Sequence, residues 1–184
     1  MQQEIRHGLI LVIGLGLIFL VFNFLITPDA DPQPQAEKVP NDSAQTILHI
    51  PKLAVTAPVI YISSTEENDI QIGLQSGVVH YEGTADFGEI GNAYIIGHSS
   101  DYENAPGEFQ TIFAKLPQME LGDEIIILAE DQLVYKVIDK KIVEPDDLTV
   151  LSQETQGRKL LTLQTSYPVG TAKQRLIVIG ELSE

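Results

Sequence analysis

Three side chains of this sequence have the types and local settings that acyl-transfer chemistry needs. His98 directly follows an apolar run at residues 92–97 (NAYIIG). A strand that ends in Gly97 would deliver an imidazole at a strand mouth, where a rigid sheet hands over to a loop and where reactive groups are commonly placed. Ser166 closes the stretch LLTLQTS, with Pro168 two residues beyond it to stop the strand. Arg175 heads a second apolar stretch, RLIVIGEL. A guanidinium there can meet a carbonyl oxygen or a developing oxyanion. Each also has an ordinary reading: a capping histidine, a turn serine and an arginine whose stem lies on the surface. The residues around Ser166 do not form G-x-S-x-G, so a nucleophile elbow is not indicated.

The elements that must position these groups are mostly short strands. The patterns predict strands at 46–50, 55–62, 92–97, 124–128, 133–141, 159–165 and 175–182, with a hairpin across 129–132. Pro58 marks an edge or a bulge within the second of these. Two short helices are expected, at 67–74 and at 108–115. Many short strands broken by Gly and Pro imply a mainly β domain over residues 45–184, a closed or nearly closed barrel.

Ahead of that domain, residues 8–26 are almost unbroken apolar sequence with Asn23 as the one strongly polar member. As a helix they would extend roughly 28 Å at ~1.5 Å per residue, close to a hydrocarbon core of ~30 Å. The expectation is one N-terminal transmembrane helix, an uncleaved signal anchor, with residues 1–7 in the cytoplasm and the domain outside. Residues 27–44, with four prolines among Asp, Gln and Glu, read as an extended linker.

The chain of 184 residues carries 11 Lys plus Arg against 26 Asp plus Glu, a formal charge of −15. A surface of that sign argues against nucleic-acid binding, which needs a basic face. There is no cysteine, so no disulfide, thiolate metal site or thiol nucleophile exists. No Cys/His cluster supports zinc and no glycine-rich loop supports phosphate binding. Asp86, Glu89, Asp101, Glu103 and Glu108 form an acidic set around the His98 strand. Calcium is conceivable there, but it needs ~6–8 converging oxygens, and a solvated rim is the simpler reading. The expectation is no cofactor.

Taken together and in order, Gly97–His98, then Thr162–Leu163–Gln164–Thr165–Ser166, then Arg175 before an apolar strand resemble the sortase family, whose motif is Thr-Leu-x-Thr-Cys. Ile50–Pro51–Lys52–Leu53, Gly77–Val78–Val79–His80–Tyr81 and Leu121–Gly122–Asp123 resemble flanking pieces of that family, so the likeness runs over about residues 46–182. The departure is Ser166, where the family has its cysteine nucleophile. The resemblance implies a sortase-like closed β-barrel and a transpeptidase that cleaves a sorting signal resembling Leu-Pro-x-Thr-Gly. The acyl product passes to an amine such as a cell-wall peptide or a pilin lysine. The implied roles are Ser166 as nucleophile, His98 as acid and base, and Arg175 as the group that steadies substrate and oxyanion. His80 and Thr165 are expected near the substrate. The alternative is a catalytically impaired protein, natural or engineered, that binds sorting-signal peptides without turnover.

Overall fold

The computed structural model describes residues 45–100 and 107–183. The expected span at 8–26, the linker at 27–44, and Asp101 and Glu103 of the acidic set lie outside the described residues. No helix among the described residues is long and apolar enough to cross a membrane.

Eight strands form the domain: β1 Ile47–Ile50, β2 Val55–Tyr61, β3 Val78–His80, β4 Gly91–Ile96, β5 Glu124–Leu128, β6 Gln132–Val143, β7 Lys159–Tyr167 and β8 Gln174–Leu182. They close into a barrel in the order β1-β2-β3-β4-β7-β8-β6-β5, and β5 pairs back onto β1. Two ladders are parallel, β2 with β3 and β4 with β7; the rest are antiparallel. A parallel pair cannot be joined by a tight turn. The chain between β2 and β3 therefore makes a crossover that contains the one α-helix among the described residues, α1 Glu67–Leu74. That helix lies where the sequence predicts it.

Side chains alternate across the barrel wall as a period of two requires. Leu48, Ile50, Val55, Ala57, Val59, Ala93, Ile95, Ile125, Ile127, Leu161, Leu163, Leu176 and Val178 fill the interior. The outward faces of β3 and β4 are also covered: Ile70 and Leu74 of α1 pack on Val79, and Tyr94 packs with Val150 and Ile177. This second layer explains why 92–97 reads as a continuous apolar run.

Pro58 sits on neither an edge strand nor a bulge. Thr46 and Val59 form a hydrogen-bonded pair in the β1/β2 ladder, with Val59 N donating to Thr46 O at 2.8 Å. Pro58 opposite Ile47 is then a non-hydrogen-bonded position, so its nitrogen points towards β3. The β2/β3 ladder starts only at Val59, one residue later. The missing N–H falls where no partner strand has begun. Gly77 passes so near that a Cβ would lie 2.2 Å from the Pro58 carbonyl oxygen.

The helix expected at 108–115 is not formed. Residues 110–115 are successive turns that lead into a 3-10 turn, Leu116–Gln118. Ile112, Ala114 and Leu116 donate to the carbonyls three residues back, whereas Phe113 N donates to His98 O at 2.8 Å. Phe113, Leu116 and Met119 are fully buried and recur every three residues, the period of a 3-10 stack. The segment plugs the barrel and is tied to the exit of β4, which outcompetes its own helical bonds.

Candidate active site

The β4/β7 ladder brings two distant stretches into register. Ile96 lies opposite Gln164, and the contact continues past the strand end. Gly97 N donates to Gln164 O at 3.1 Å, and Thr165 Oγ1 donates to Gly97 O at 2.7 Å. Two positions beyond the Ile96–Gln164 rung are His98 and Ser166. On the other side of β7, Ser166 is the direct Cα partner of Arg175 on β8. Histidine, serine and arginine thus occupy one level of three adjacent strands. The alternation that sends Leu161, Leu163, Leu176 and Ile95 inward sends all three of these residues outward.

They open into a cleft of about 290 Å³ on the outside of the barrel. Its floor is Tyr94, Ile96, Gln164, Ser166 and Arg175. Side chains of α1, such as Glu67 and Ile70, form one wall, and Asp147 and Leu148 stand on the other. This second wall is a 3-10 turn, Leu148–Leu151. It is pinned to the sheet by Asn92 Nδ2 donating to Val150 O at 3.0 Å and by Gln153 Nε2 donating to both Asn92 O and Leu151 O. Asp147 caps it by accepting from the Thr149 hydroxyl and N–H, and these two bonds hold the Asp147 carboxyl below its ordinary range.

Two of the three groups are held from behind. The His98 carbonyl accepts from Phe113 N, which locks the backbone of the strand exit. Gly97 is required there, since a Cβ would lie 2.4 Å from the Phe113 ring. Arg175 Nη1 donates to Ala172 O at 3.1 Å and Gln174 O at 3.0 Å. Its Nε and Nη2 make no hydrogen bond among the described residues and remain available to a ligand. Ser166 is partly exposed to the cleft.

Two expected substrate contacts are placed differently. Thr165 borders the floor, but its neighbour relation to Ser166 turns its side chain the other way. It is 1 % exposed and its hydroxyl is committed to Gly97 O. Its function is to hold the end of β4 in place. His80 does not line the cleft. It shares the inward face of β3 with Val78, its Nε2 lies 3.0 Å from Ala85 O, and Tyr61 and Phe87 enclose it at ring-centroid distances of 5.1 and 5.2 Å. The next residue, Tyr81, faces the cleft instead and meets Tyr94 edge-on. Sequence reasoning missed Tyr81, Tyr94 and Gln164. The signal for the three was the period-two pattern counted from Val79, from His98 and from Ser166 respectively.

Among the described residues no group of three His, Cys, Asp or Glu side chains converges as a metal site would require.

The family model for the sortase domain matches residues 48–183. The chain belongs to the sortase family. Solved sortases share its barrel. Sortase C1 of Streptococcus agalactiae is 30% identical with a TM-score of 0.63, over 76% of this chain and 68% of that one. The sortase D5 transpeptidase of Clostridium perfringens is 28% identical with a TM-score of 0.61, over 76% and 79%. Sortase C-1 of Actinomyces oris is 28% identical with a TM-score of 0.63, over 76% and 73%. No match was found among the curated proteins. As a sortase, the chain carries a transpeptidase scaffold whose outer cleft holds a hydroxyl, an imidazole and a guanidinium.

Proposed function

We propose that the cleft binds a peptide sorting signal resembling Leu-Pro-x-Thr-Gly and that Ser166 attacks the carbonyl of its Thr–Gly bond. His98 takes the hydroxyl proton as oxygen bonds to carbon, then gives it to the departing glycine amine as the C–N bond breaks. The product is an acyl ester on Ser166. An amine, from a cell-wall peptide or a pilin lysine, attacks that ester. His98 accepts the amine proton and returns it to Ser166 as the ester bond opens. Arg175 steadies the oxyanion in both halves with its uncommitted N–H groups. The observation that carries this reading is the common level of His98, Ser166 and Arg175 on one outward face.

A second reading is favoured by one residue type. A serine hydroxyl is essentially un-ionised at neutral pH and needs a base for every attack, whereas a cysteine is partly thiolate and strongly nucleophilic. A site inherited from a cysteine enzyme would therefore be slow, by as much as ~10⁴-fold if the base is not aligned, and would act as a receptor for sorting-signal peptides. We place the protein in the cell membrane through residues 8–26, with the barrel on the extracytoplasmic side. The support is the length and apolarity of that stretch.

Intact-mass analysis of the full chain with a Leu-Pro-Ala-Thr-Gly peptide separates the readings. An acyl adduct that disappears in Ser166→Ala establishes the ester mechanism, and Ser166→Cys then raises transpeptidation at least ~10²-fold. Binding without an adduct, together with the same gain in Ser166→Cys, establishes the receptor. No binding and no gain in Ser166→Cys would overturn both.

A further inference from the structure

One polar side chain of the cleft floor has no role in the chemistry above. On the outward face of β7 the side chains run Thr162, Gln164, Ser166. Thr162 is spent on the fold, since its Oγ1 donates to Asn92 Oδ1 at 2.7 Å in a buried pair. Gln164 sits between that buried rung and Ser166. Its Cα partners are Ile96 on one side and Ile177 on the other, and it lines the same cleft as the apolar Tyr81, Tyr94, Ile96 and Val150.

A carboxamide in an apolar floor is unfavourable unless its groups are paired. Gln164 is half paired. Tyr94 donates its hydroxyl to Gln164 Oε1 at 2.7 Å. Burial pushes the Tyr94 phenol well above the ordinary tyrosine range, so the O–H remains a donor. That bond assigns the oxygen end of the amide to Tyr94 and leaves the Nε2 end. Nε2 has no hydrogen bond among the described residues. It is not sealed in either, because the one buried side-chain polar atom among them without a partner is Ser99 Oγ. The Nε2 end therefore keeps some access to solvent, on a residue that lines the cleft.

We propose that Gln164 is a specificity-determining residue whose Nε2 donates to a backbone carbonyl of the bound peptide, and that Tyr94 is the positioning residue that aims it. This rests on the cleft being a peptide site. Gln164 and Ser166 are two residues apart on a strand, about 7 Å at ~3.3 Å per residue. An extended peptide has the same rise, so with its reacting carbonyl at Ser166 its backbone two residues away lies over Gln164. A ligand without an acceptor there strands a donor in an apolar setting, and such mismatches are strongly discriminated against.

The test is binding of a fluorescent Leu-Pro-Ala-Thr-Gly peptide to the full chain by anisotropy, with thermal melts to confirm that each variant is folded. Gln164→Leu suits the apolar floor, and the expected loss of affinity is roughly 3–10-fold. Gln164→Glu should lose at least as much, since it replaces the donor by an acceptor. Tyr94→Phe should lose less and should add nothing in the Gln164→Leu background. A series of peptides with one backbone carbonyl at a time reduced to methylene should contain one member that Gln164→Leu no longer discriminates from the parent. Unchanged affinity in Gln164→Leu, with normal binding to the unaltered chain, overturns the inference alone. A Tyr94→Phe loss that persists in full without Gln164 makes Tyr94 merely structural and overturns its positioning role. Failure of the unaltered chain to bind the peptide overturns the inference and the peptide-site reading together.

Discussion

At the scale of single residues, the cleft depends on bonds that never face a ligand. Thr165 Oγ1 reaches the Gly97 carbonyl at 2.7 Å from a fully buried position, so it fastens the residue just before His98. Thr165→Val keeps the shape and removes the donor. The loss is expected to be about 1–3 kcal/mol, the usual consequence of leaving a buried polar group unpaired, read as a lower urea midpoint. Turnover or peptide binding should fall as well, because the strand end that carries His98 is loosened. The strand-end placement of Ser166, His98 and Arg175 was legible in the sequence because each marks the boundary of an apolar run. The facing of Thr165 and His80 was not, since it depends on the register of each strand against its neighbours. Gln164 was hidden for a related reason: its meaning comes from Tyr94, seventy positions earlier, and the two meet only through the parallel ladder.

At the scale of elements, the exit of β4 and the turns at 110–118 act as one unit. Phe113 N bonds to His98 O, and the Phe113 ring lies against Gly97, where a Cβ would stand 2.4 Å away. Gly97→Ala is therefore expected to cost about 1–3 kcal/mol by overpacking and to displace His98. Phe113→Leu combined with Gly97→Ala should lose less than the sum of the two single changes, as contacting residues do; denaturant titration of the four proteins measures this. Seven of the eight strands were predicted because period-two alternation and Gly or Pro punctuation are local signals, whereas β3, Val78–His80, was missed because three residues buried on both faces show no alternation. The helix at 108–115 failed because Phe109, Ile112 and Phe113 have the i, i+3, i+4 apolar spacing of an amphipathic helix. The decision belonged to a tertiary bond with His98. Pro58 was misread for the same kind of reason, since whether a strand position is an edge depends on where the next strand begins.

At the scale of the whole molecule, the barrel closes along the seam between β1 and β5, and an ion cluster stitches that seam. Lys52, just after β1, lies 2.7 Å from Glu120 and 2.8 Å from Asp123, just before β5. The bonds that Lys52 donates to Asp123 and Glu120 raise its ammonium above its ordinary value. Burial raises the Asp123 carboxyl, but the Lys52 bond and the Glu120 N–H outweigh it and leave it depressed. A depressed carboxylate contributes stability above its unfolded value and loses it as pH falls through the folded value. Lys52→Met should therefore be less stable than the unaltered chain at neutral pH, by the modest amount typical of exposed pairs. The difference should vanish well below the ordinary carboxylate range; urea midpoints across that range check this. The strand order has a further consequence for a chain made from its N-terminus. β1 has no second neighbour until β5 is complete, and Arg175 arrives only with β8, the strand that bridges β6 and β7. A nascent chain halted before residue 174 would leave β6 and β7 unbridged and the cleft without its guanidinium, so wall and floor are finished together by the last strand made.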